Sequence, residues 1–207
     1  MVVDFMKTLK KDMIPSYLRG RTAQNLMKAL RSMMEAVGDD PHREGLRASP
    51  QRILRSWQRL YGGYQLKPED VLTTFEEKEL FPHNQIILLK NIEFYSTCEH
   101  HMLPFFGKAH IAYLPSNRIV GISKLARILE IYARRLQLQE RIGHQVTQAL
   151  MTHLNALGAA CVLEAQHFCM IARGVEKQNS IMVTSSLRGI FLKNPQTRAE
   201  LMSLIRS

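Results

Sequence analysis

The sequence predicts a mixed α+β protein in which helices come first and a strand-rich region follows. Apolar residues recur at helical spacing in the first 61 residues, whereas β-branched and aromatic residues cluster in the strand-like segments beyond them. The composition agrees, since 45% of the 207 residues are hydrophobic and 22% are charged, as in ordinary globular proteins. We therefore exclude disordered, collagen-like and coiled-coil chains.

The first 63 residues are predicted to form an N-terminal helical region. Residues 22–37 and 49–61 each place their apolar side chains on one face of a helix. Gly62 and Gly63 end the second of these helices. We expect the second domain, which would carry the catalytic site, to span residues 64–207.

The second domain is predicted to follow the order β-β-α-α-β-β and to end in a short helix. Four strands cannot close a barrel, and an open sheet leaves edges that need cover or a partner. We therefore expect a homo-oligomer. The predicted elements are, in order, residues 84–96, 108–114, 123–136, 140–156, 159–173, 180–191 and 196–205.

The chain is strongly basic, with 28 Lys and Arg against 18 Asp and Glu and a formal net charge of +10. No run of consecutive Lys or Arg exceeds two, which favours local anion sites over a nucleic-acid track. No apolar run approaches the roughly 18 residues that a membrane helix needs. Three cysteines without a secretory signal favour a reducing compartment. We therefore predict a cytoplasmic protein that binds neither nucleic acid nor membranes.

A candidate metal site begins at the end of the first predicted strand. Cys98 and His101 are three residues apart, close enough in a tight turn to bind one metal ion, although such a pair also arises by chance. His167 and Cys169 strengthen the hypothesis, because alternate residues of a strand share a face. Cys161 lies eight residues from Cys169, too far along a strand to join it, and is interpreted as a packing residue.

The spacing leaves the ligand set open. The candidates are Cys98, Cys169 and one or more of His100, His101 and His167, and mixed thiolate and imidazole ligands favour zinc. Three protein ligands would leave a fourth position open, as in catalytic zinc sites, whereas a structural site would have four. Which histidines bind metal and which transfer protons stays undecided at this point.

A helix start at Ser123 is a candidate anion site. Ser123 is predicted to cap the helix, whose free N–H groups favour anions, and Lys124 and Arg127 share one face of it. Gln139 and Glu140 could offer acceptors to a purine edge. Taken alone, the first motif is better explained by an ordinary capped surface helix, and the second equally well by a solvated turn.

Together these motifs resemble the zinc-dependent GTP cyclohydrolase I family, over about residues 37–207. The resemblance implies a tunnelling fold, in which antiparallel β-β-α-α-β-β sheets with helices on one face assemble into a barrel across the subunits of a homodecamer. It also implies active sites at subunit interfaces. The matching motifs are residues 40–46, STCEHHMLPFFGKAHIAYLP, GISKLARILEIYARRLQLQERI and EAQHFCMIARGVEKQNS.

The resemblance also implies a reaction. GTP would be opened hydrolytically at C8 of its imidazole ring, with release of formate and formation of 7,8-dihydroneopterin triphosphate. By motif, Cys98, His101 and Cys169 would bind zinc, and His100 and His167 would transfer protons. The alternative is a non-catalytic zinc- and purine-nucleotide-binding protein with the same fold.

The substrate contacts follow from the same resemblance. Glu140, supported by Gln139, would accept hydrogen bonds from the N1–H and amino groups of guanine, a donor pair that adenine lacks. Ser123 would also assist the rearrangement of the ribose. The triphosphate would be bound by Ser123, Lys124, Arg127, Arg173 and Arg52.

Overall fold

The computed structural model describes residues 18–72, 74–76 and 85–207. These residues divide into two compact units, one ending at Gly62 and the other beginning at Gly63. The assignment of catalysis to residues 64–207 stays a prediction. None of the helices in the described part has the length and hydrophobicity needed to cross a lipid bilayer.

The described part of the first unit contains three α-helices, two of which confirm the helices predicted over residues 22–37 and 49–61. Pro50 lies in the first turn of the last helix, where its missing N–H is not needed. Met34 and Leu54 are buried and supply apolar contacts within this unit. The helices are α1 (Gly20–Ala36), α2 (Glu44–Arg47) and α3 (Ser49–Leu60).

The second unit contains five α-helices and seven strands, counted over the described residues. The helices are α4 (Ile122–Ala133), α5 (Gln139–Leu154), α6 (Phe168–Ile171), α7 (Ile190–Lys193) and α8 (Pro195–Arg206). The strands are β1 (Thr74–Glu76), β2 (Ile87–Cys98), β3 (Pro104–Leu114), β4 (Arg118–Val120), β5 (Leu136–Gln137), β6 (Gly158–His167) and β7 (Met182–Gly189).

The strands form one large and one small sheet. The large sheet has the order β5-β2-β3-β6-β7, and β1 pairs with β4 in the small one. The pairs from β2 to β7 are antiparallel, as predicted, whereas β5 runs parallel to β2. The prediction lacked β1, β4 and β5, and residue 84 of the first predicted strand lies outside the described residues.

Different helices cover the two faces of the large sheet. Cys161 and Ser186 are paired across β6 and β7, and Ser186 Oγ lies 2.9 Å from Thr147 Oγ1 of α5. Helix α5 therefore covers this face. On the opposite face, Ala112 and Ala160 belong to an apolar cluster with residues of α7 and α8. The sequence predicted helices on one face of the sheet only, so the packing of α7 and α8 against the other face was not predicted.

The strand predicted over residues 159–173 is wrong beyond His167. The β3–β6 ladder ends where Phe105 pairs with His167, because the next residue of β3 is Pro104, which has no N–H to donate. The chain then turns into α6, so Cys169 lies on a helical turn and not on a strand.

The predicted cap of α4 is also wrong. Gly121 occupies the N-cap position, no side chain caps the helix, and Ser123 is its second residue. Gly121 has extended backbone angles there (φ −59°, ψ 137°), as a residue that precedes a helix requires. The free N–H groups of the first turn are consequently not taken up by a side-chain cap.

Candidate active site

The three predicted metal ligands lie close together in the second unit. The ligand atoms of Cys98, His101 and Cys169 all fall within 4.8 Å of one another. A tight turn returns His101 toward Cys98: Met102 N–H donates to the Cys98 carbonyl at 2.8 Å, and Met102 has a positive φ of 54°. As a result, His101 Nδ1 lies 4.0 Å from Cys98 Sγ.

This donor set fits a zinc ion. Zinc binds sulfur at about 2.3 Å and imidazole nitrogen at about 2.0 Å, so neighbouring donors of a tetrahedral site lie about 3.5–3.8 Å apart. Burial, followed by the nearby Cys98 thiol, raises the pKa of the Cys169 thiol. A bound cation would lower it again by stabilising the thiolate. Two thiols and an imidazole favour zinc over magnesium or calcium.

Arg173 borders this cluster. Its Nη1 lies 2.7 Å from His101 Nε2, so the two nitrogens of His101 face Arg173 and Cys98 respectively. A neutral imidazole that bound metal through Nδ1 would carry its hydrogen on Nε2 and could not accept from a guanidinium. Binding of a metal ion through Nδ1 would therefore break the contact with Arg173.

Hydrogen bonds fix the orientation of His167. Gln139 is 1% exposed, and its Nε2 lies 3.0 Å from the carbonyl oxygens of Leu163 and Met182, which can only accept. Gln139 Oε1 therefore faces His167 Nε2, at 2.8 Å, and this nitrogen must carry a hydrogen. The neutral imidazole keeps Nδ1 as its basic nitrogen.

The surroundings of His167 favour its neutral form. Its ring stacks on that of Phe105, with centroids 4.5 Å apart and planes 6° from parallel. Burial lowers the pKa of His167, and the charge of Glu140 opposes this shift. Sequence reasoning missed Phe105, whose role depends on its pairing with His167 across two strands.

Comparison with known proteins identifies the family of this chain. The model of the family described as GTP cyclohydrolase I matches residues 26–206. The chain belongs to the GTP cyclohydrolase I family. The family predicted from the sequence motifs is thereby confirmed.

Several curated relatives, each named GTP cyclohydrolase 1, cover most of the chain. The relative from Wolinella succinogenes is 52% identical over 180 residues, which are 86% of this chain and 95% of the relative. The relative from Thermoanaerobacter pseudethanolicus is 49% identical over 185 residues, or 89% and 97% of the two chains. The relative from Chlorobium chlorochromatii is 48% identical over 189 residues, or 90% and 83%.

One solved structure, an archaeosine synthase QueF-like protein in its apo form, is more distantly similar. It is 12% identical, with a TM-score of 0.43, and the match covers 52% of this chain and 97% of that one. A similarity this low supports no inference about the present chain.

In this member of the GTP cyclohydrolase I family, Glu140 faces an open cavity whereas Gln139 does not. The cavity has a volume of about 350 Å³ and is lined by Glu140, Gly143, His144 and residues 184–186. The amide of Gln139 is instead used within the chain, by His167 and by acceptors on β6 and β7. Support of Glu140 by Gln139 stays a prediction, and the observed side-chain partners of Gln139 are His167 and Thr184.

The remaining predicted residues are not joined to the metal cluster. His100 is exposed in the same turn, with its ring centroid 6.2 Å from that of His101. Within the described residues, no hydrogen bond or ion pair connects Ser123, Lys124 or Arg127 with the three ligands. Arg127 Nε is buried and has no hydrogen-bond partner among the described residues, and a phosphate oxygen would satisfy this donor.

Arg52 belongs to the first unit. Its Nη2 donates to the Gly45 carbonyl at 2.8 Å and to Ser49 Oγ at 2.6 Å. The side chain is exposed, so these local bonds hold it at the surface of α3. Its contact with a triphosphate stays a prediction.

Proposed function

We propose that this chain is a zinc-dependent GTP cyclohydrolase I, which opens GTP at C8, releases formate and forms 7,8-dihydroneopterin triphosphate. The observation that carries the proposal is the convergence of Cys98, His101 and Cys169 within 4.8 Å. A purely structural zinc site would want a fourth protein ligand. Membership of the family supports the choice of substrate and reaction.

The proposed ligands of zinc are Cys98, His101 and Cys169. Zinc at this position would supply a Lewis acid and make water nucleophilic near neutral pH. The protein contributes a turn that presents two of the ligands and a helical turn that presents the third. His100, exposed beside the ligands, is proposed as one proton-transfer group.

His167 is proposed as the second proton-transfer group, acting at N7 of guanine. Because its Nε2–H is held by Gln139, the proton would be exchanged at Nδ1. Stacking on Phe105 restricts the tilt of the ring, so the ring is held in place before substrate binds. Protonation of N7 would make C8 more electrophilic and prepare the ring for opening.

Glu140 is proposed to recognise guanine. It lies in the first turn of α5, where a negative charge interacts favourably with the helix dipole. A carboxylate accepts from both the N1–H and the amino group of guanine, whereas adenine presents an acceptor at N1. Discrimination between GTP and ATP would therefore depend on Glu140.

The triphosphate is proposed to be bound by residues of more than one subunit. Arg173 borders the metal cluster in its own chain, whereas Ser123, Lys124, Arg127 and Arg52 would come from neighbouring chains, with Ser123 also assisting the ribose rearrangement. The free outer edge of β7 in the described sheet supports strand pairing between subunits. We propose a cytoplasmic homodecamer in which tunnelling-fold sheets form a shared barrel, with no nucleic-acid or membrane partner.

The decisive experiment incubates the purified assembly with GTP and zinc. We expect equal amounts of formate and a pterin that becomes fluorescent after oxidation, and we expect both to disappear after chelation of the metal. Binding of zinc and GTP without formate would instead favour the non-catalytic alternative. Salt-dependent binding of duplex DNA without turnover would reject the proposed function.

A further inference from the structure

Glu99 and Arg141 form a two-pronged ion pair beside the metal cluster. Arg141 Nη2 donates to Glu99 Oε1 at 3.0 Å, and Arg141 Nη1 donates to Oε2. The side chains are 29% (Glu99) and 41% (Arg141) exposed. The two residues are 42 positions apart in the chain, so the pair is a tertiary link and not a local helix contact.

The pair joins two parts of the proposed active site. Glu99 lies between the ligand Cys98 and the proton-transfer residue His100, whereas Arg141 directly follows Glu140 in α5. A backbone hydrogen bond strengthens the same link, since Glu99 N–H donates at 3.1 Å to the carbonyl of Gln137. The turn at residues 98–101 is thus held by a side-chain pair to the start of α5 and by a backbone bond to β5, which directly precedes that helix.

Stability alone explains this pair poorly. Exposed ion pairs contribute little to stability, and a cation such as Arg141 in the first turn opposes the helix dipole. Helix α5 also has no side-chain cap. The Glu99 carboxylate offsets the charge of Arg141, but only if the turn that carries Glu99 stays at the helix start.

We propose that Glu99 and Arg141 are positioning residues that set the placement of the metal turn relative to Glu140. The proposal rests on the proposed function, because both ends of the link are residues assigned by it. A displacement of about 1 Å between reacting groups costs a large part of the rate. Lysine keeps the charge of Arg141 but cannot form the planar fork.

The test compares Arg141→Lys, Glu99→Gln and the double variant in the full-length assembly. We expect zinc, measured by competition with a chelator, to bind about 10-fold more weakly in each variant. Cobalt(II) in place of zinc should show shifted ligand-field bands. The value of kcat should fall about 10-fold or more while KM for GTP changes less, and the double variant should be no worse than the poorer single one.

The matched control is Arg43→Lys. Arg43 forms an equivalent two-pronged pair with Asp39, at 2.8 and 2.9 Å, in the first unit. We expect this variant to keep the zinc affinity, cobalt spectrum and kcat of the parent chain. If Arg43→Lys changed the zinc affinity, the cobalt spectrum and kcat as much as Arg141→Lys does, loss of any two-pronged ion pair would have this effect. That result would overturn the proposal.

The same measurements separate failure of this inference from failure of the proposed function. If Arg141→Lys lowers only the melting temperature, and zinc affinity and the cobalt spectrum stay unchanged, the pair is merely structural and the inference is wrong. If the parent chain does not turn over GTP, the proposed function fails, and zinc affinity and the cobalt spectrum still decide whether the pair positions the metal turn.

Discussion

The metal cluster and the start of α4 differ in how much of a site one chain assembles. Cys98, His101 and Cys169 converge within 4.8 Å inside the second unit. Lys124 and Arg127 present positive charge on α4, and no hydrogen bond or ion pair in the described part connects them to that cluster. The first region is therefore a candidate centre by itself, whereas the second needs a ligand or another chain to gain a function.

The largest expected effect comes from removing a thiolate. Cys98→Ser or Cys169→Ser should lose zinc and GTP turnover together, with turnover falling more than about 1,000-fold. Metal content by elemental analysis and formate release measure the two losses. Cys161→Ala is the control, because Cys161 is fully buried and burial raises its pKa to about 12. Full zinc content with normal turnover in a ligand variant would reject the assignment.

The second prediction separates the metal from proton transfer. His167→Ala should keep its zinc and lose turnover by about 100- to 10,000-fold, because the proton-transfer group is removed and no ligand is changed. Heteronuclear NMR of the parent chain should show the neutral Nε2–H form of His167. Loss of zinc from His167→Ala would mean that the roles of His167 and His101 have been exchanged.

The third prediction tests whether the metal cluster of one chain works with the start of α4 of another chain. Cys98→Ser chains and Lys124→Ala chains should each be inactive, yet mixed assemblies should regain about a quarter of the parent activity, because random mixing completes that share of interface sites. Activity is measured after joint refolding, with each variant refolded alone as control. If the mixture stays inactive, α4 acts within its own chain or not at all.

The smallest expected effect concerns the choice of base. Glu140→Ala should weaken GTP binding about 10-fold or more, since two hydrogen bonds to a charged acceptor are lost. Binding of inorganic triphosphate should change little, because that ligand has no base. An unchanged preference for GTP over ATP would show that Glu140 does not recognise guanine.

The local spacing of apolar and β-branched residues predicted most of the helices and strands, because each of them must bury one face. The apolar spacing in α3 and α5 and the β-branched residues of β2 gave boundaries within a few residues of the observed ones. The errors in element boundaries occurred where the end of an element depends on residues that are distant in the sequence. β6 ends at His167 because Pro104 ends the opposing strand, which no pattern within residues 159–173 could reveal.

In the candidate site, too, the local sequence predicts some features and contacts between distant residues decide the others. The sequence could predict that Cys98 and His101 lie close together, because residues three apart fit within one tight turn. It could not predict the orientation of His167, because that orientation depends on Gln139, whose amide is fixed by the carbonyls of Leu163 and Met182. These atoms come from β6, α5 and β7, and only the pairing of the strands together with the packing of α5 on them brings the atoms together.

The sequence by itself determined the family, the order of the long helices and strands, and the residue types able to bind zinc. These properties follow from composition, periodicity and motifs that lie within short segments. Only the tertiary structure decided which nitrogen of His167 carries hydrogen, that Phe105 stacks on it, and that Glu99 meets Arg141. Such contacts join residues distant in the chain, and their geometry is set by the packing of α5 on a paired sheet.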